Sequence, residues 1–199
     1  MAWTSFREPS KKMINITSKA LPDAIVVGGR AFLLKTDYRV WIRFTQDFKA
    51  WKKMGYRGVI DIKYLFENDI PAFSEADDYS GILEFAFPQN VVPHYEHDNG
   101  EDVLFYDIDG DYIYAAFMQA YHIDLISTDM HWHKFLALMN GLPDSTRLSA
   151  IMGYRAYTGE KIKNEAQMYR ALKDAWMPPY EETEEEKAAD EEFEKYFGG

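Results

Sequence analysis

With no cysteine in the chain, histidines and carboxylates are its raw material for chemistry. His131-Trp132-His133 is the densest candidate, since two imidazoles there could serve as metal ligands. On a helix, residues at i and i+2 point about 200° apart, so one ion could not take both. An extended segment would put them on one face, but the capped apolar period that follows argues for a helix. A zinc site needs three or four convergent ligands held by ordered neighbours. His122 is a third candidate, and His94 and His97 lie beside Glu96 and Asp98. Nothing in the spacing makes these groups converge. Asp107-Ile108-Asp109-Gly110-Asp111 invites a calcium reading. An EF-hand loop needs glycine at position 6 and glutamate at 12. Here glycine stands too early and Met118 occupies the last position. The preferred reading is an acidic turn that caps a helix and faces its positive dipole end.

Other reaction types are as poorly served. The absence of cysteine excludes a disulfide scaffold, a zinc ribbon and a thiol nucleophile. There is no P-loop, dinucleotide fingerprint, nucleophile elbow or His-Glu-x-x-His. Gly28-Gly29-Arg30 is followed by a strand-like run, not by the helix a phosphate cradle requires. The sequence therefore predicts a non-enzymatic protein without cofactor or metal.

The elements that position these residues follow from patterning. The 199 residues suit one domain with appendages, large enough to bury a core. Residues 1–22 read as a flexible arm, 23–179 as a single domain and 180–199 as an acidic amphipathic tail. Two β-prone runs around Gly28-Gly29 predict a tight hairpin. Thr36 or Asp37 caps a helix whose stripe is Trp41, Phe44, Phe48 and Trp51, with Gly55 as its stop. That helix is expected to cover the hairpin. A second helical stretch is predicted over 59–67, and a third from Ser74 to Phe87, with Ser74 and Asp77 in capping-box-like positions. Residues 88–103 read as a loop. Four short helices follow: 112–121, capped by Asp109 or Asp111; one started by Ser127, Thr128 or Asp129 and stopped by a left-handed Gly141; one from Asp144 or Ser145; and 160–175. The fold class is mainly α (α+β), an N-terminal β-hairpin packed on a bundle of short helices with an acidic C-terminal tail or helix.

Charge is concentrated. The net charge is −11, but residues 180–199 hold nine acids and two bases, a net of −7, leaving −4 for residues 1–179. Such a balance disfavours nucleic acid, which needs basic surface. No secretory signal precedes the body, and no run of about 18 apolar residues predicts a membrane span. Thr183 and Glu186 form a capping box, and Phe193, Tyr196 and Phe197 fall near one face of the helix it would start. Together with Trp176, these aromatics in charged, proline-flanked surroundings are candidate anchors for docking on a partner. Folding back of the tail on its own bundle is the competing reading, as is a solvated tail.

Three segments carry a resemblance: IVVGGRAFLLKTDYRVWIRF, DIDGDYIYAAFMQAYHIDL and, most specifically, MHWHKFLALMNGLPDSTRLSAIMGYR. They resemble the phage gene-product-fifteen family of long-tailed phages, and they span most of 24–155. The matching positions are His131, Trp132, Phe135, Leu136, Gly141, Leu142, Pro143 and Arg155. The resemblance supplies no catalytic residues, and these positions read first as fold determinants. It implies a tail assembly chaperone that binds the tape measure protein and helps recruit major tail protein. Such a protein would act in the host bacterial cytoplasm, form homo-oligomers, touch neither nucleic acid nor membrane, and be absent from the finished tail. A structural tail-completion or connector subunit is the alternative, and a small metal-dependent enzyme the remoter one.

Overall fold

The computed structural model describes residues 14–73, 76–88, 102–159 and 163–179. The hairpin forms where expected, from β1 (Ala24–Val27) and β2 (Arg30–Leu33). Ala24 pairs with Leu33 and Val27 with Arg30. Gly28 and Gly29 take φ of +56° and +78°, left-handed values that a Cβ would penalise. Period-two alternation buries Ile25, Val27 and Phe32 and leaves Val26 and Leu33 outside.

Among the described residues six α-helices follow: α1 (Tyr38–Lys53), α2 (Ser80–Ala86), α3 (Gly110–Tyr121), α4 (Trp132–Asn140), α5 (Arg147–Arg155) and α6 (Lys163–Trp176). Asp37 caps α1 by accepting the Arg39 backbone N–H at 3.0 Å. Trp41 and Phe44 are fully buried, and Phe48 packs at the core's edge, as the stripe requires. Thr146, not Asp144 or Ser145, caps α5 through Ser149 N–H.

Among the helices α2 makes the closest backbone approach to the hairpin, against β1. A Cβ added to Gly81 would stand 3.2 Å from Ile25 Cβ, so a larger residue there requires Ile25 or the helix to shift by a few tenths of an ångström. Residues 59–67 hold a single 3-10 turn, Lys63–Leu65, instead of a helix. The reason is tertiary: Lys35 N–H donates to Leu65 O and Glu67 N–H to Leu33 O, so the segment runs as an irregular edge beside β2. The third helix enters through a 3-10 turn at 76–79; Ser74 lies outside the described residues. Gly141 ends α4 with φ −95°, not left-handed. The left-handed stop is His122, φ +54°, at the end of α3.

The core is aromatic. Phe135, fully buried, stacks on Tyr38 (4.7 Å), Phe117 (5.2 Å) and Trp132 (5.8 Å). It joins α1, α3 and α4 at one point. Beyond this centre α5 packs against both α3 and α6.

Candidate functional site

The His131-Trp132-His133 segment begins as extended chain and turns into α4. Tyr38 N–H donates to Met130 O and Trp132 N–H to Thr36 O, so the starts of α1 and α4 form an antiparallel bridge. His131 is the N-cap of α4, a role expected of Ser127, Thr128 or Asp129. Its Nδ1 accepts His133 N–H at 3.0 Å, and its Nε2 meets Pro22 O at 2.9 Å. These two bonds require the neutral tautomer with the proton on Nε2. Burial accordingly pushes the His131 pKa below its ordinary value, with Lys134 adding to the effect. Ser127 is engaged elsewhere: its Oγ–H donates to Asp124, which also accepts Ile126 N–H and so closes a turn of its own.

The next two residues cap a different helix. Trp132 Nε1–H donates to Ala86 O at 3.0 Å, and His133 Nε2 lies 3.0 Å from Phe85 O. Both carbonyls belong to the last turn of α2, which leaves its final C=O groups without intrahelical partners. The motif is thus a latch that joins residue 22, the start of α1 and the end of α2. Neither ring nitrogen of His131 can take a metal or a substrate proton without giving up a structural bond. Among the described residues no three His, Asp or Glu side chains are placed to hold a metal ion. His94 and His97 lie outside them, and His122 is exposed at its helix end.

A second tie centres on Arg155, at the end of α5. Its guanidinium is buried and forks onto Asp109, with Nη1–Oδ2 at 2.6 Å and Nη2–Oδ1 at 2.9 Å. Two of its other N–H groups reach Trp176 O at 2.8 Å and Val103 O at 3.1 Å. Asp109 stands at the N-cap position of α3 but does not cap it with its side chain; it accepts Phe105 N–H instead. The acidic turn read as a helix cap is thereby corrected: one of its carboxylates is the counter-ion of a buried arginine. Only the planar fork of arginine can satisfy a carboxylate and two carbonyls at once.

The other pattern residues are structural too. Gly141 admits the Tyr121 hydroxyl, which donates to Leu138 O at 2.8 Å; an added Cβ would come within 3.3 Å of it. Leu136 and Leu142 pack half-buried against the core, and exposed Pro143 offers its carbonyl to Thr146 N–H. Trp176 is half-buried, edge-on to Tyr112 at 5.7 Å and under the Arg147 guanidinium at 4.9 Å. Phe193, Tyr196 and Phe197 lie outside the described residues.

A shallow groove between α1 and α3 is lined by Tyr38, Ile42, Tyr106, Ile113, Tyr114 and Leu125. Burial pushes the Tyr106 phenol up to about 12 and raises that of Tyr38, whose hydroxyl donates to Leu125 O at 2.7 Å. Tyr64, on the far side of α1, is raised by burial and by its bond to Asp47.

Fold and ties together define a class: a mainly helical protein whose most distinctive polar residues are spent on holding its elements together. The chain belongs to the Bacteriophage Gp15 protein family, whose model matches residues 19–177. It is a bacteriophage protein of the structural or assembly kind. No curated protein and no solved structure matches it.

Proposed function

We propose that this protein is a non-catalytic tail assembly chaperone that binds the tape measure protein and helps recruit major tail protein around it. The observation that carries the reading is membership of the phage family over residues 19–177. The use of His131, Trp132, His133 and Arg155 as internal ties supports it, because it takes the chemically conspicuous residues away from catalysis. The charge distribution supports it as well. A body at −4 with a tail at −7 is soluble, repels its own copies and suits a basic partner segment. Candidate anchors on that partner are Trp176, Phe193, Tyr196 and Phe197.

Quantitative mass spectrometry of purified virions and of the infected-cell lysate tests the reading. A chaperone is abundant in the lysate and absent from the particle. Stoichiometric presence in mature virions would reject it in favour of a tail-completion or connector subunit.

A further inference from the structure

The C-terminal end of α1 carries a surface unlike the rest of this acidic protein. Residues 48–60 hold four bases, Lys49, Lys52, Lys53 and Arg57, and no acid; Lys49 is paired with Asp102 at 3.0 Å. Among the described residues Lys52 and Lys53 pair with no carboxylate. Between and beyond these cations stand Met54, Tyr56 and Val59, which are 58%, 53% and 94% exposed.

This apolar display is built, not frayed. Gly55, Tyr56 and Gly58 all take left-handed φ, and for tyrosine such a conformation persists only when its surroundings enforce it. Tyr56 N–H donates to Trp51 O at 3.0 Å, and Trp51 Nε1–H donates to Gly58 O at 3.2 Å. The two rings meet edge-to-face at 5.0 Å. The result is a hydrogen-bonded knuckle that offers apolar side chains next to Lys52 and Lys53.

We propose that residues 180–199 of the same chain dock on this knuckle. Charge complementarity is the first argument. The segment carries nine acids against two bases, and it carries Phe193, Tyr196 and Phe197 to meet Met54, Tyr56 and Val59. Reach is the second. The described chain ends at Pro179, three residues past Trp176. The Trp176 carbonyl is bonded to Arg155, whose guanidinium lies 5.1 Å from the Phe105 ring centre. Lys49 Nζ stands 5.9 Å from that same ring, one helical turn before Lys52 and Lys53. The segment therefore starts a few side chains from its target. Twenty residues span about 65 Å when extended and about 30 Å as a helix, more than the gap requires. A tether this short raises the local concentration to the millimolar range, which favours the chain's own tail over that of a second copy. The docked segment covers the exposed apolar patch and neutralises Lys52 and Lys53. The inference rests on this chain alone and not on the assembly role; a partner that takes Phe193, Tyr196 and Phe197 as anchors has first to displace the tail from the knuckle.

The absence of native cysteine makes the test direct. A nitroxide is placed on Gly198→Cys in the isotope-labelled full-length chain, diluted into an excess of unlabelled, spin-free protein. The expected result is selective loss of the amide signals of residues 52–59. The signals return in about 1 M salt, where the Debye length falls to about 3 Å. They also return in the Lys52→Glu/Lys53→Glu variant. Should charge reversal disturb the end of α1, Val59→Ser reports instead, because its side chain touches little in the body and its substitution weakens only the docked state. Three results overturn the proposal: no loss at 52–59, a loss that vanishes on dilution and so belongs to a second copy, or a loss that persists unchanged in the folded variants.

Discussion

Replacing Arg155 by methionine removes the charge and keeps most of the volume, which isolates the ion pair from the packing. The Asp109 carboxylate, buried and held in the wild-type chain by a two-pronged guanidinium, keeps only the Phe105 N–H. The carbonyls of Val103 and Trp176 lose their donor as well. Breaking a buried pair by removing one partner costs about 3–5 kcal/mol, because a charge is left in low dielectric without compensation. Domains of this size have only about 5–15 kcal/mol in total, so Arg155→Met removes a large share. At roughly 2–4 °C per kcal/mol, Tm falls by about 6–20 °C. The double variant Arg155→Met/Asp109→Leu has no stranded charge and recovers most of the loss. Arg155→Lys lies between, since a point charge cannot serve a carboxylate and two carbonyls together. Urea and thermal unfolding followed by far-ultraviolet circular dichroism measure the wild type, these three variants and the single variant Asp109→Leu. The reasoning is refuted if Arg155→Met costs less than about 1 kcal/mol, or if the two single changes add within about 0.5 kcal/mol in the double variant.

Three further outcomes are expected. The neutral His131 cap contributes stability that is complete above the unfolded-state pKa of 6.5 and is lost as pH falls through the depressed folded value. In His131→Asn, which keeps a capping oxygen, the decline of the urea midpoint between pH 8 and 5 is shallower than in the wild type; parallel profiles would contradict the assignment. Gly81→Ala destabilises by about 1–2 kcal/mol although alanine is the better helix former, because the new Cβ meets the stiff, β-branched Ile25; a stabilised variant would show that α2 can retreat from the hairpin. Phe135→Ala costs about 3–5 kcal/mol in denaturant unfolding, since three stacked rings lose their common neighbour; a cost under 1 kcal/mol would mean that the core closes over the gap.

Local physics made part of this fold legible. The hairpin needed only Gly28-Gly29 between β-prone runs, and α1 only a cap and a stripe. The misses are places where distant partners decide. The 59–67 stretch has helix-compatible spacing, but Leu65 and Glu67 are recruited by the backbone beside β2. His131 won the cap of α4 over better-suited residues because the bridge to Thr36 and Tyr38 fixes where the helix can start. Asp109 looked like a cap because its partner is 46 residues away and no spacing rule joins them. The same holds for Trp132 and His133, whose acceptors lie in α2. The family pattern singled out His131, Trp132 and Arg155, but no spacing rule could say which distant groups each one meets.

The chaperone account meets its most direct test in co-expression with the tape measure protein encoded in the same phage genome. The account predicts that tape measure protein alone is insoluble, and that it becomes soluble and co-purifies with the full-length chain in many copies. Tape measure protein that is equally soluble with and without this chain, and that leaves no complex with it, would contradict the account.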